Sequence, residues 1–124
     1  MKVWTDDKEA IEIEFPQEDI KRYLRRVGTK KTSDLGTALI CKVLLYAIKD
    51  FKYGKLSTDQ LAAIAGMLNH NLLANHASKD KSLETLTHDL GEMAFYIRHK
   101  SLNIFPALMK SMWQYYEENK HLIE

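Results

Sequence analysis

The fold is decided at a junction in the middle of the chain, Phe51-Lys-Tyr-Gly-Lys-Leu-Ser-Thr-Asp-Gln-Leu-Ala-Ala-Ile-Ala-Gly-Met-Leu-Asn-His-Asn-Leu-Leu73. Gly54 can adopt the left-handed conformation that ends a helix. Ser57 and Gln60 have the spacing of a capping box, in which each side chain accepts a hydrogen bond from the other residue's backbone N–H. The sequence therefore predicts that one helix stops and another starts here.

Two core helices are predicted on either side of this junction. The first covers residues 35 to 51, and between Ala38 and Ile48 only Lys42 is not apolar. A helix that is apolar all round is surrounded by other elements, so we expect this one at the centre of the core. The second helix has one buried stripe at three- and four-residue spacing, formed by Leu61, Ile64, Ala65, Leu68 and Leu72.

Three further segments are predicted to be helices. Pro16 opens the first, because proline is tolerated in a first turn, and Glu18 and Asp19 follow where acidic groups favour a helix start. Residues 75 to 82 are the best loop candidate. An amphipathic helix is predicted over residues 83 to 99, and the last helix begins at Asn103 or Pro106.

The amino-terminal residues have the pattern of a strand instead. Ala10-Ile-Glu-Ile-Glu-Phe15 alternates apolar and acidic residues, as a half-buried strand does. A strand needs a partner for its backbone groups. That partner is either Lys2-Val-Trp-Thr5, across an Asp6-Asp-Lys turn, or the edge of another chain.

These patterns predict a mainly all-α fold, a single-domain bundle of about five helices with a small N-terminal β-hairpin. The chain of 124 residues fits one domain, since domains cluster near about 100–150 residues. The β element would lie in residues 1–15 and the helical bundle in residues 17–124. Only 5 glycines and 2 prolines are present, so helix breakers are scarce.

The sequence predicts a cytoplasmic protein without a membrane segment. The amino terminus lacks the basic start and apolar core of a signal peptide. The longest apolar run, Val43 to Ile48, is far shorter than the roughly 20 residues that cross a bilayer. The single cysteine, Cys41, cannot form an internal disulfide and is interpreted as a small core residue.

Charge is distributed unevenly, although the net charge is only +1. Residues 1–20 contain 2 basic and 7 acidic residues, whereas residues 21–55 contain 10 basic and 2 acidic ones. Six cations lie within one short segment: Lys21, Arg22, Arg25, Arg26, Lys30 and Lys31. They either bind phosphates or pair internally with the acidic segment, whose candidates are Glu9, Glu12, Glu14, Glu18 and Asp19.

A helix-turn-helix is one interpretation of residues 61–73. Leu61-Ala-Ala-Ile-Ala-Gly-Met67, followed by Leu72, looks like the common bacterial repressor pattern, in which the glycine permits a sharp turn. Asn69 and Asn71 would then read adenine bases. Leu68 stands where that pattern has a small polar cap, and one continuous helix through Gly66 explains the same residues.

Metal binding and catalysis have weaker support in the sequence than the interpretations above. Glu84, His88 and Glu92 share a helix face, and His70 and His76 are the nearest further donors, but the spacing matches no known metal motif. The alternative to a metal site is that Glu84, His88 and Glu92 are exposed side chains that interact with one another along the helix. No serine or cysteine lies in a nucleophile motif, and the glycines are spread singly, so we expect no cofactor and no enzyme.

The stretch from Asp50 to Leu73 resembles the helix junction of colicin-D-type bacterial immunity proteins: a helix ending in an aromatic residue, then a glycine, an aliphatic-serine step and a new helix. The resemblance implies a small, cytoplasmic helical protein that plugs the active site of a partner toxin, often a ribonuclease, with carboxylates in place of RNA phosphates. The basic segment departs from this pattern, since a phosphate mimic does not need it.

The leading functional hypothesis is therefore a non-enzymatic protein-protein interaction module, as an immunity or inhibitor protein would be. The predicted partner-binding residues are acidic: Asp6, Asp7, Glu9, Glu12, Glu14 and Asp59. An unpaired strand offers a second mode, in which it joins a partner's sheet or forms a homodimer. The alternatives are a helix-turn-helix DNA-binding regulator and, third, a small helical enzyme or metal-binding protein.

Overall fold

A computed structural model of the chain describes residues 2–4, 10–12, 16–31, 36–74, 80–93 and 105–124. Two strands, β1 (Lys2–Trp4) and β2 (Ala10–Glu12), pair antiparallel with Val3 opposite Ile11. The helices of the described ranges are α1 Gln17–Arg26, α2 Thr37–Lys52, α3 Thr58–Ala74, α4 Lys81–Gly91 and α5 Phe105–Asn119. A short 3-10 turn, Lys120–Leu122, follows α5. The predicted, mainly helical fold is confirmed for these ranges.

The junction between α2 and α3 has the predicted chemistry. Gly54 has a φ of 76°, in the left-handed region. The Ser57 backbone N–H donates to Gln60 Oε1 at 2.9 Å, and the Gln60 backbone N–H donates to Ser57 Oγ at 3.1 Å. The capping box is therefore confirmed, and it satisfies backbone donors that the first turn of α3 would otherwise leave without partners.

The central position of α2 is also confirmed. Its fully buried apolar side chains are Ile40, Val43, Leu44, Leu45, Ala47 and Ile48. Buried leucines and isoleucines of the other helices complete the same core: Leu24 of α1; Leu61, Ile64, Leu68 and Leu72 of α3; Leu83 and Leu90 of α4; and Leu108 of α5. Full burial of each such side chain contributes about 1.5–3 kcal/mol, so these contacts hold the bundle together.

α3 runs without a break through Gly66, so the helix-turn-helix interpretation of residues 61–73 is wrong. Gly66 lies instead where α3 packs against the end of α4. A Cβ atom built on Gly91 would lie 3.2 Å from the Gly66 Cα and 3.3 Å from the Gly66 N. The two glycines allow two backbones to approach each other, which is the physical reason for a glycine in the middle of a helix.

The described helices are shorter than a membrane span requires. The longest of them, α3, has 17 residues, whereas a spanning helix needs about 20 predominantly apolar ones. Within the described ranges, no helix combines the length and the apolar character needed to cross a bilayer.

Candidate interaction surfaces

The most exposed large apolar side chain of the described residues belongs to the α2–α3 junction. The side chain of Tyr53, immediately after α2, is 63% exposed. The Lys52 Nζ lies 6.0 Å from the centre of the Tyr53 ring and 5.9 Å from the centre of the Tyr116 ring, which α5 supplies. We call Lys52, Tyr53 and Tyr116 the junction surface, in which Tyr53 is exposed and Tyr116 is a buried ring beneath Lys52, only 7% exposed. It presents an aromatic ring to solvent beside a cation within cation–π range of two rings.

Charged residues from the end of α5 border the junction surface. The Lys120 Nζ lies 2.8 Å from Glu117 Oε2. The hydrogen bond and charge of Lys120 lower the pKa of the Glu117 carboxyl, and the same bond raises the pKa of Lys120. Burial raises the pKa of the Tyr116 hydroxyl, and the proximity of Tyr53 adds to this shift. The junction surface therefore combines one exposed aromatic ring, that of Tyr53, with charged side chains.

The acidic partner-binding candidates lie largely outside the described residues. Asp6, Asp7, Glu9 and Glu14 fall in ranges that the structure does not describe, and Glu12 is placed only by its backbone, at the end of β2. Asp59 lies in the first turn of α3 and is half-buried. Its position at the N-terminal end of a helix is electrostatically favourable for a carboxylate.

The six cations of residues 21–31 have different surroundings. Arg22 is directed into the α1–α2 interface. Arg22 donates to Asp19 Oδ1 at 3.0 Å and also to Oδ2 of Asp50, whose side chain comes from α2. The Tyr23 hydroxyl donates to that same Asp50 oxygen at 2.6 Å. Asp50 is only 7% exposed. We call Arg22, Tyr23 and Asp50 the Asp50 network.

The pKa shifts of the Asp50 network follow from its burial and its partners. Burial raises the pKa of the Tyr23 hydroxyl far above its usual range, and the hydrogen bond to Asp50 raises it further. Burial alone would lower the pKa of Arg22, but the hydrogen bond and charge of Asp50 outweigh it, so that pKa rises. The arginine and the tyrosine therefore keep their protons while the carboxylate accepts from both.

The other cations of the segment remain at the surface. The Arg26 guanidinium lies 5.1 Å from the centre of the Tyr46 ring, and that ring stacks on Tyr23 with 6.1 Å between centroids. Lys21 forms an exposed pair with Glu18 at 3.4 Å. Arg25, Lys30 and Lys31 are exposed, and within the described residues they form no ion pair. Internal pairing with the acidic segment is therefore seen for Lys21 with Glu18 and for Arg22 with Asp19.

The asparagines that would have read DNA bases belong to α3, which is a core helix. The Asn69 side-chain amide donates to the Glu84 carbonyl and to Thr87 Oγ1, both at 3.1 Å. Asn71 is half-buried on the same helix. The Asn69 amide is therefore engaged between α3 and α4.

The candidate metal residues do not assemble into a site. His88 Nδ1 lies 3.2 Å from Asp89 Oδ1, and His88 Nε2 lies 3.2 Å from Glu92 Oε1. Glu84 instead lies near Lys81, with 3.5 Å between their charged atoms. In the described ranges, no three His, Cys, Asp or Glu side chains are grouped so that they could hold a metal ion. His70 is exposed on α3, and His76 lies outside the described residues.

A groove of about 600 Å³ runs between α4 and α5. Its apolar floor includes Leu86 and Leu108, and Tyr115 forms part of its wall. Behind the wall, the Tyr115 hydroxyl lies 2.9 Å from the Cys41 Sγ. Burial raises the pKa of both groups; the contact with Tyr115 partly offsets this shift for Cys41, and the contact with Cys41 adds to it for Tyr115. The cysteine is therefore a protonated core thiol.

Two of these features, the Asp50 network and the junction surface, have no complete signature in the sequence. Asp50 lies near the end of an apolar helix, and an acidic residue there is itself a signal for a buried partner, but Tyr23 carried no pattern that would identify it. Tyr116 of the junction surface lies more than 60 residues after Lys52 and Tyr53 in the chain. A contact at that separation has no local sequence signature.

No protein-family model, curated protein or solved structure matches the chain.

Proposed function

We propose that the chain is a non-enzymatic protein-binding module that docks a partner through the junction surface. The observation that carries the proposal is the 63% exposure of Tyr53 beside Lys52 and Tyr116. Tyrosine is enriched among the residues that dominate binding energy at protein interfaces. Its ring supplies a large apolar contact, and its hydroxyl tolerates water in the unbound protein.

The buried ionisable groups support binding over catalysis. A nucleophilic cysteine needs a lowered pKa, but burial raises the pKa of Cys41. In the Asp50 network, the carboxylate already accepts hydrogen bonds from Tyr23 and Arg22. These three groups are engaged with one another across the α1–α2 interface.

The immunity or inhibitor role remains the specific form of this proposal. In that form, the acidic segment that includes Glu9, Glu12 and Glu14 would steer association with a basic toxin, and the junction surface would supply the short-range contact. The junction surface lies within the stretch that resembles the immunity proteins, apart from Tyr116. The mechanism would be steric occlusion of the toxin's active site.

Photo-crosslinking tests the proposed docking surface. A benzoylphenylalanine at position 53 should give a discrete crosslinked adduct in cells of the source organism, and the same group at Leu73 should not. Leu73 is a matched control because it is 54% exposed. It also lies near the opposite end of α3, about 20 Å away along a helix that rises 1.5 Å per residue. Identical adducts at both positions would contradict a specific surface.

Affinity measurements with the identified partner then test the contribution of Tyr53. Tyr53→Ala should weaken binding by about 2 kcal/mol, which is about 30-fold in Kd. Reversing the charges of Glu9, Glu12 and Glu14 should mainly slow association. If the partner is a toxin, co-expression of the chain should restore growth, and the Tyr53→Ala variant should protect less. Unchanged affinity in both variants would refute the proposal.

A further inference from the structure

Besides Arg26, whose guanidinium lies over the Tyr46 ring, four exposed cations lie on α1 and the turn that follows it: Lys21, Arg25, Lys30 and Lys31. We call them the outer cations. Gly28, with a φ of 82°, ends α1, and the Thr29 N–H donates to the Leu24 carbonyl at 3.0 Å across this turn. The turn therefore brings two lysines directly after the last turn of a helix that already carries Lys21 and Arg25.

The outer cations are available to a ligand, unlike the two other cations of the segment. Arg22 is bonded within the Asp50 network, and Arg26 lies over the Tyr46 ring. The pair between Lys21 and Glu18 is exposed, with 60% and 88% of the two side chains accessible. Such exposed pairs contribute about 0–1 kcal/mol, so Lys21 can exchange its carboxylate for another anion.

Helix stabilisation does not account for all of the outer cations. A cation in the last turn of a helix interacts favourably with the partial negative charge of the helix C-terminus, which explains Arg25. This effect falls off beyond the last turn. Lys30 and Lys31 lie after the turn and form no ion pair within the described residues, so the helix C-terminus does not account for their charge.

We infer that the outer cations form a sequence-independent binding surface for the phosphate backbone of duplex nucleic acid. Lysine is depleted in the cores of protein–protein interfaces, whereas lysine and arginine contacts to phosphates dominate nucleic-acid affinity. The exposed large apolar side chains of the described residues, Tyr53, Leu73 and Leu122, lie on other elements. A surface of cations without an apolar anchor is therefore suited to phosphate rather than to a protein.

The aromatic residues that the structure describes near this surface favour a duplex over a single strand. Proteins that bind single strands stack bases on exposed aromatic rings. Tyr23 of α1 is fully buried, and the Tyr46 ring lies between Tyr23 and the Arg26 guanidinium. Neither ring is free to stack on a base. Contacts to phosphate alone position a duplex without reading its sequence.

Fluorescence anisotropy with labelled duplexes of unrelated sequence tests the inference. Four phosphate contacts predict that log K falls with log salt at a slope of about −3 to −4, with measurable binding at about 50 mM salt. Arg25→Gln, Lys30→Gln and Lys31→Gln should each reduce the slope by about 1. Combining the three should leave a slope of about −1. DNA and RNA duplexes run in parallel will show which backbone is preferred.

The matched control is Lys110→Gln, an exposed lysine on α5 that should leave the slope unchanged. Circular dichroism will confirm that each variant is folded, and the single variants still report if the triple variant is not. Three results would overturn the inference: no duplex binding by the unsubstituted protein at low salt, an unchanged slope in all the Gln variants, or tighter binding of poly-glutamate than of either duplex. Tyr53→Ala should leave duplex binding intact, which separates this surface from the proposed protein interface.

Discussion

The α1–α2 interface and the α3–α4 interface hold two pairs of helices together by different means. Between α1 and α2, Asp50 accepts hydrogen bonds from Arg22 and Tyr23, and aromatic rings stack beside it. Between α3 and α4, Gly91 packs on the Gly66 backbone. The first interface depends on charge and protonation, and the second depends on the absence of a side chain. Substitutions and pH should therefore act on them in separable ways.

The largest loss of unfolding free energy is expected from Asp50→Ala in the α1–α2 interface. Removing one member of a buried ion pair costs about 3–5 kcal/mol when the remaining charge is uncompensated. Arg22 is partly exposed and keeps Asp19, so we expect the lower end, about 3 kcal/mol, with the Tyr23 hydroxyl left buried and without its acceptor. Urea denaturation of the purified protein measures the loss.

Two further variants identify which bond matters in this interface. The stability of Asp50→Asn should lie between that of Asp50→Ala and that of the unsubstituted protein. An amide oxygen still accepts a hydrogen bond from Tyr23, but it has no charge to pair with Arg22. Combining Arg22→Met with Asp50→Leu should recover part of the loss, since both charges are then absent. A cost of less than about 1 kcal/mol for Asp50→Ala would show that the network does not hold α1 in place.

A smaller effect is expected from Gly91→Val in the α3–α4 interface. Its Cβ would lie 3.2 Å from the Gly66 Cα, so the two backbones must separate. Overpacking of this kind typically costs about 1–3 kcal/mol, and we expect about 2 kcal/mol by urea denaturation. Gly36→Ser is the control: no heavy atom lies within 4 Å of the corresponding Cβ position, and serine is a favoured residue at a helix N-cap. Equal stability of Gly91→Val and the unsubstituted protein would contradict the close approach.

The sequence predicted the parts of the fold that depend on local pattern. The Ser57 and Gln60 capping box, the left-handed Gly54 and the central apolar helix all involve residues within a few positions of one another. Gly66 shows the limit of this reasoning, because a glycine in a helical stripe is compatible with a sharp turn and with a close helix crossing. Only its neighbour Gly91, 25 positions later, distinguishes the two.

The candidate sites were harder to predict for the same physical reason. The sequence does not distinguish the six neighbouring cations from one another. The fold does, because it directs Arg22 to Asp50, 28 positions away, and leaves Lys30 and Lys31 exposed. Tyr53 and Tyr116 meet only through the packing of α5. Periodicity identifies which face of a helix is buried; it does not identify which distant polar group completes that face.

The smallest effect on stability is expected from alkaline pH, which should distinguish the α1–α2 interface from the α3–α4 interface. The ordinary pKa of a tyrosine is 10.0, and burial followed by the hydrogen bond to Asp50 raises that of Tyr23 well above this value in the folded protein. Above pH 10 the unfolded chain therefore loses a proton that the folded chain retains. Stability is fully present below pH 10 and decreases as pH rises, by about 1.4 kcal/mol per pH unit for each such tyrosine.

Tyr115 has a raised pKa for a different reason, burial and its contact with Cys41, so it contributes to the same decrease. Tyr23→Phe should therefore flatten the dependence of unfolding free energy on pH by about 1.4 kcal/mol per unit and leave the contributions of Tyr115 and Tyr116, whose pKa values burial also raises. Asn69→Ala, which removes a neutral amide from the α3–α4 interface, should lower stability by about 1 kcal/mol at every pH. Parallel pH curves for Tyr23→Phe and the unsubstituted protein would mean that Tyr23 titrates alike in both states, and the distinction between a protonation-dependent interface and a steric one would then fail.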